Sequence, residues 1–185
     1  MKHSFSAKYK NVLLRDVQKT DLEILRTYRN DRDSTKFLSK LPHITMEMQL
    51  AWYNKDLSDI TCCTFAIEET DRLNKIIGSL ALYNISDNTA EFGRALIGDA
   101  DARGKGMGFL ATTLCLYLGF TKLGLETITA NVHEENMPAI HAYEKSGFII
   151  IGKQLYEHGG NEYKIVVKKV DFFNAHDFIS DIQTF

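Results

Sequence analysis

The chemically most suggestive feature of the chain is a glycine-rich segment, residues 103–108, with the sequence Arg-Gly-Lys-Gly-Met-Gly. Three alternate glycines allow a tight turn, because no Cβ atom obstructs the backbone. A helical pattern of apolar residues begins at Met107. The first N–H groups of a helix have no partner within it and lie at the positive end of its dipole. The segment therefore predicts a phosphate or pyrophosphate site, to which Arg103 and Lys105 add positive charge.

Two common phosphate-binding motifs do not match this segment. A Walker loop has Ser or Thr after Gly-Lys, whereas Gly106 follows Lys105 here. A dinucleotide fingerprint has G-x-G-x-x-G directly after a strand, but here the spacing is G-x-G-x-G and the polar residues 99–102 intervene. A dinucleotide-dependent oxidoreductase would rest on the glycines alone, and an ordinary flexible turn is the simplest alternative to a phosphate site.

The apolar pattern around this turn predicts a mixed α/β sheet. The expected order is one strand, two helices, three antiparallel strands, a helix, a strand, a helix and two strands, with a parallel crossover in the second half. In this interpretation residues 1–170 form a single domain. Residues 171–185 form a C-terminal extension that packs on the body or on a partner subunit.

The sequence also predicts where the helices begin and which sides they bury. Thr20 and Glu23 match a capping box at the start of the first helix, and the second is expected to begin after Thr45. The helix that starts at Met107 is apolar on nearly all sides, so we expect it to be buried. The second helix is expected to bury the apolar residues that recur at helical spacing: Met46, Leu50, Tyr53 and Leu57.

The composition excludes several classes of protein. The chain has 22 Lys and Arg against 24 Asp and Glu, a net charge of −2, which argues against a nucleic-acid-binding surface. The three cysteines are expected to be reduced thiols, and no histidine stands at metal-ligand spacing from them. No apolar run approaches the roughly 20 residues that span a bilayer. We expect a cytoplasmic monomer or homodimer that binds no metal, nucleic acid or membrane.

Two segments together resemble a known family. Residues 103–108 resemble the R/Q-x-x-G-x-G/A signature of the GNAT acetyltransferase superfamily. Residues 131–148 contain a match to its second signature, V-x-x-x-N-x-x-A-I-x-x-Y-E-K-x-G-F. The chain resembles the branch that includes ribosomal-protein N-terminal, polyamine and amino-sugar-nucleotide acetyltransferases.

The resemblance implies that the cofactor is acetyl-coenzyme A. The glycine turn would hold the pyrophosphate, and the pantetheine arm would lie where two strands splay, one ending at Ile97 and the other near Val132. Asn136 would contact the arm, and Tyr143 would point toward the sulfur. The cofactor-binding residues implied in this way are Leu96, Ile97, Gly98, Arg103, Gly104, Lys105, Gly106, Met107, Gly108, Asn131, Asn136, Ala139, Tyr143 and Lys145.

Acetyl transfer by direct attack in a ternary complex needs a neutral amine, a stabilised oxyanion and a protonated leaving thiolate. The resemblance implies Tyr143 as the general acid. Glu91 is the first candidate base, acting through a water, because similar enzymes often carry a glutamate on this strand. His133 is the second candidate, since a neutral imidazole can accept a proton. The backbone N–H near Ile97 or Gly98 could bind the acetyl oxygen.

The acceptor is expected to be a small-molecule primary amine, with an amino-sugar nucleotide favoured by the basic and aromatic residues near the expected site. A polyamine or a protein N-terminus is the alternative acceptor. The alternative from another functional class is a catalytically silent module that binds acyl-CoA. The candidate substrate-binding residues are Arg29, Asn30, Trp52, Tyr83 and Arg94.

Overall fold

A computed structural model describes residues 3–39, 42–156 and 159–185. Its five helices are α1 (Leu22–Asn30), α2 (Met46–Ser58), α3 (Met107–Lys122), α4 (Met137–Lys145) and α5 (Lys169–Ala175). Its strands are β1 (Ala7–Tyr9), β2 (Val12–Asp16), β3 (Cys63–Glu69), β4 (Lys75–Ser86), β5 (Thr89–Ile97), β6 (Thr127–His133), β7 (Ile149–Leu155), β8 (Asn161–Lys168) and β9 (Gln183–Thr184).

The strands form one mixed sheet in the order β7-β8-β6-β5-β4-β3-β2-β1-β9. Every neighbouring pair is antiparallel except β5 and β6, which are parallel and joined through α3. The predicted α/β class, element order and parallel crossover are confirmed. The short strands β1 and β9, which pair with each other at one edge of the sheet, were not predicted.

The sheet buries a different set of side chains on each face. Phe65 belongs to the larger core, which includes α3, whereas its neighbour Ala66 packs with the buried residues of α1. This alternation is expected when both faces of a strand are covered. Most of α3 is buried, as predicted. In the C-terminal segment, the buried Phe172 lies beside Phe120 of α3, with ring centroids 5.2 Å apart.

The predicted start of the first helix was wrong, whereas that of the second was right. Residues 19–21 form a 3₁₀ turn before α1, so Thr20 and Glu23 do not form the capping box. Instead, the Gln18 N–H donates to the Asp21 carboxylate (2.8 Å), which also pairs with Arg15. The start of α2 is confirmed, since the Thr45 hydroxyl accepts from the Met48 N–H (3.2 Å).

The predicted buried face of α2 is confirmed only in part. Met46 is 44% exposed, while the buried residues of α2 are Gln49 and Asp56. Leu50 and Tyr53 are half-buried and pack against the apolar cluster that includes α1, whereas Gln49 and Asp56 line a cavity between α2 and the sheet. In the part of the chain that the structure describes, no helix is both long and apolar enough to span a membrane.

Candidate active site

The parallel strands β5 and β6 separate along their length. They pair only at residues 89–91 with 127–129. The remaining half of β5 pairs with β4 on its other side, and β6 continues along β8. The facing backbone edges beyond Glu91 and Thr129 are thus open to a third extended chain, which could hydrogen-bond between them as an added strand does. A pantetheine arm has this extended shape and these amide groups.

The glycine turn lies at the start of α3. Gly104 and Gly106 have φ angles of +71° and +78°, and a Cβ at either position would meet no atom within 4 Å. Glycine is favoured here by its backbone conformation, and the surface in front of the turn is open. The first backbone hydrogen bond of the helix runs from the Leu110 N–H to the Gly106 carbonyl (3.1 Å). The N–H groups of residues 107–109 therefore remain available for a pyrophosphate.

The end of β5 is held close to α1. A Cβ on Gly98 would lie 2.1 Å from Cγ of Tyr28, so only glycine fits beneath that ring. The Gly98 N–H donates to the Ile77 carbonyl (2.9 Å). It is not free to bind an acetyl oxygen, so the oxyanion role predicted for Gly98 was wrong, and the same role for Ile97 stays a prediction. Gly108 lies beside Ile97, with its Cβ position 4.0 Å from Ile97 Cγ1, so the turn borders the mouth of the gap.

The side chain of Arg103 faces the end of β5. Its Nε donates to the Ile97 carbonyl (3.0 Å) and its Nη2 to the Gly98 carbonyl (2.7 Å). The same guanidinium contacts Ser34 and lies 3.7 Å from Asp31. Arg103 thus contributes its backbone to the glycine turn, while its guanidinium connects the end of β5 to Asp31 and Ser34. Lys105 is exposed in the same turn.

Tyr143 lies on α4 against β5. Its ring meets Phe92 edge-on at 5.4 Å between centroids and lies 5.9 Å from Phe148. Burial raises the pKa of the Tyr143 phenol well above its ordinary value, and the nearby Tyr83 raises it further. A phenol that stays protonated at neutral pH can donate a proton to a leaving thiolate.

Glu91 lies on the other face of the sheet from Tyr143. It alternates with Phe92 along β5 and is paired across the strands with Tyr83. Its carboxylate accepts from Nδ2 of Asn84 (2.8 Å). The pKa of Tyr83 is raised by burial and by the negative charge of Glu91. The gap between β5 and β6 therefore begins with the Glu91 carboxylate on one face of the sheet and the Tyr143 phenol on the other.

Both ring nitrogens of His133 are engaged by the backbone. The Glu135 N–H donates to Nδ1 (3.2 Å), so Nε2 carries the proton and faces the Gly159 carbonyl (3.3 Å). The ring also lies beside Phe37 and Tyr156. These contacts leave no ring lone pair for an amine proton, and they favour Glu91 as the base.

The remaining predicted cofactor residues lie around the gap and α4. Leu96 is buried near the end of β5, and Met107 is buried at the start of α3. The Asn136 side chain caps α4 by accepting from the Ala139 N–H (3.3 Å). Asn131 is exposed on β6. Lys145 lies at the far end of α4, with Nζ 4.5 Å from the Phe109 ring centroid.

A cavity of about 500 Å³ lies on the α1–α2 side of the sheet. Three of the predicted substrate residues, Arg29, Trp52 and Arg94, line it. Asn30 does not, because both ends of its amide bind the backbone of Ile44. Tyr83 lies outside the lining, under the guanidinium of Arg94 (4.6 Å). The sequence interpretation missed the polar lining residues Gln49, Lys55, Asp56, Asp59, Thr64 and Ser79.

The acidic and basic side chains that line this cavity differ in how well their charges are satisfied. Asp56 accepts from Thr64 Oγ1 (2.8 Å) and Cys62 Sγ (3.4 Å). Arg29 is half-buried and makes no ion pair with any residue that the structure describes. Burial lowers the pKa of Arg29, the nearby phenol of Tyr156 raises it, and the charge of Arg94 lowers it again. Arg94 itself has a left-handed backbone (φ +52°) inside β5, a strained conformation of the kind found at binding sites.

Comparisons with known proteins agree with this geometry. Residues 11–149 match the protein family described as the acetyltransferase (GNAT) domain. The Escherichia coli spermidine N(1)-acetyltransferase is 26% identical over 175 residues, covering 94% of this chain and 91% of the relative. Acetyltransferase PseH of Campylobacter jejuni is 26% identical over 156 residues, covering 84% and 91%.

A solved structure is also similar. The Vibrio cholerae spermidine N-acetyltransferase, in complex with CoA and spermine, superposes with a TM-score of 0.78 at 26% identity, covering 89% of this chain and 99% of that one. The open gap and the glycine turn suit the same cofactor. The chain belongs to the GNAT family and is an acetyl-CoA-dependent N-acetyltransferase.

Proposed function

We propose that the acceptor is a small primary amine that also carries a negatively charged group, as an amino-sugar nucleotide does. The observation that carries this proposal is Arg29, half-buried in the cavity wall without an ion pair among the described residues. A partly buried charge is costly when, as here, no carboxylate among the described residues pairs with it. A phosphate or carboxylate on the acceptor would offset that cost and would also face Arg94.

The reaction follows from the positions of four groups. When bound, acetyl-CoA supplies an activated acetyl thioester. The N–H groups at the start of α3 would hold its pyrophosphate, and the open edges of β5 and β6 would hold its pantetheine arm. Glu91, acting through a water, takes a proton from the amine on the α1–α2 side, because an alkylammonium must lose a proton before it attacks. Tyr143 donates a proton to the sulfur from the other side.

A polyamine is the second candidate acceptor. The names of the spermidine acetyltransferases among the relatives support it, and so do Asp56 and Asp59 in the cavity lining. Polyamines are polycations, and two carboxylates could bind their ammonium groups. The same cations would be repelled by Arg29 and Arg94, so the two candidates make opposite predictions for the arginines.

The test is release of CoA thiol with spermidine and with a UDP-linked amino sugar, for the wild type and Arg29→Gln. With the anionic acceptor, we expect Arg29→Gln to raise KM about tenfold, since a charge-assisted hydrogen bond is lost. Arg32→Gln is the control, because Arg32 is exposed and lies outside the cavity lining. Turnover of spermidine alone, with KM unchanged or lowered in Arg29→Gln, would establish the polyamine and reject the anionic acceptor.

A further inference from the structure

Residues 31–39, which we name the strap, connect α1 to the segment before α2 and contact both sides of the cofactor gap. Near the β5 side, Ser34 and Asp31 meet the guanidinium of Arg103. Near the β6 side, the Phe37 ring lies 5.3 Å from the His133 ring, between centroids. The strap therefore spans from the end of one splayed strand to the end of the other.

The β5 anchor is built around one guanidinium. Arg103 donates to the carbonyls of Ile97 and Gly98, which fixes its side chain on the strand end. The remaining contacts of the group reach the strap at Ser34 and Asp31. The backbone of Arg103 opens the glycine turn, so one residue joins the phosphate turn, the strand end and the strap.

The β6 anchor is a ring held in place by the backbone. His133 has both nitrogens engaged, by the Glu135 N–H and the Gly159 carbonyl. This fixes the plane against which Phe37 packs. Beyond Phe37, the strap reaches Ser39, which lines the acceptor cavity. A shift of the strap would thus change the cavity wall.

We propose that Arg103 and His133 are positioning residues that anchor the strap across the mouth of the gap, so that cofactor binding orders the strap and the acceptor wall attached to it. Phosphate binding at residues 107–109 fixes the turn from which Arg103 extends, and Arg103 carries that restraint to the strap. The inference rests on the proposed function in placing the acceptor behind the strap. Cofactor and acceptor binding are then coupled, with the cofactor favouring the acceptor.

Amide hydrogen exchange of the strap, with and without saturating CoA, tests the coupling. In the wild type we expect CoA to slow exchange in residues 31–39 about tenfold, because local opening becomes less frequent. In Arg103→Gln this protection should disappear, while the Kd for CoA, measured by calorimetry, stays within about threefold. Lys105→Gln is the matched control, since it removes a charge from the same turn and should retain the protection.

Phe37→Ala tests the second anchor without altering the gap. We expect it to lose part of the CoA-dependent protection and to keep the Kd for CoA. Equal protection of the strap in Arg103→Gln and the wild type would overturn the inference. So would a Kd for CoA more than about tenfold weaker in Arg103→Gln with strap exchange unchanged, because Arg103 would then be a phosphate ligand. Failure of the wild type to bind CoA would instead refute the cofactor site at the glycine turn, on which the proposed function depends.

Discussion

The two helices that cover opposite faces of the sheet, α3 and α2, bury very different side chains. Nearly all of α3 is apolar and enclosed, with Leu114 and Leu118 at 1% and 0% exposure. The inner side of α2 carries Gln49 and Asp56, which border a cavity of about 500 Å³. The α3 side supports the sheet and offers its backbone to the cofactor. In the proposed function, the α2 side recognises the acceptor with side chains, and that task requires polar groups where packing alone would place apolar ones.

The largest expected effect is on the cofactor turn that begins α3. Gly106→Glu should weaken CoA binding about a thousandfold, since a side chain at φ +78° is strained and its charge repels the pyrophosphate. Calorimetric titration measures the loss. Gly152→Glu adds the same group on β7, where a Cβ would meet no atom within 4 Å, and should bind CoA normally. Normal affinity in a folded Gly106→Glu protein would remove the turn from the cofactor site.

The difference in packing between the two helices should appear in stability. Leu114→Ala leaves a cavity inside the enclosed core and should lower the free energy of unfolding by about 3 kcal/mol. Leu50→Ala, on the half-buried side of α2, should lower it by about 1 kcal/mol. Urea denaturation of both variants gives the two values. Equal losses would show that α2 is packed as tightly as α3.

Tyr143→Phe tests whether the α4 side supplies a proton as well as packing. The phenyl ring keeps its contact with Phe92, so CoA affinity and folding should be retained. The value of kcat should fall about a hundredfold, because only the proton donor is lost. Tyr117→Phe on α3, whose ring lies 6.3 Å from that of Phe173, is the matched control. A wild-type kcat in Tyr143→Phe would give this tyrosine a packing role alone.

The cofactor side could be predicted from sequence because its signals are local. The glycine turn and the start of α3 each depend on residues within a few positions of one another. The crossover from β5 to β6 follows from the helical period that begins at Met107. Strands β1 and β9 escaped prediction because they have three and two residues, too few for a periodic pattern.

The acceptor side depends on contacts between distant parts of the chain. Periodicity favours the more apolar side of α2, and only the tertiary structure shows that Gln49 and Asp56 face inward. Asn30 was predicted to bind substrate, yet its amide binds the backbone of Ile44, 14 residues away. Two further features have no local signal: the open gap, and the lack of an ion pair for Arg29 within the part of the chain that the structure describes. The polar residues Gln49 and Asp56, seven positions apart and therefore on one side of the helix, were an available hint.

The smallest effect we expect comes from Gln49→Leu on the polar inner side of α2. No hydrogen bond to this amide is present within residues 3–39, 42–156 and 159–185, so a leucine of similar volume should change the free energy of unfolding by less than about 1 kcal/mol. The KM for the acceptor should rise about fivefold, because the cavity loses a polar contact, while the Kd for CoA should not change. Asn54→Leu, on the exposed side of α2, is the control and should leave KM unaltered. If Gln49→Leu lowers stability by several kcal/mol and leaves KM unchanged, the amide supports the fold, and the contrast between α2 and α3 is one of composition alone.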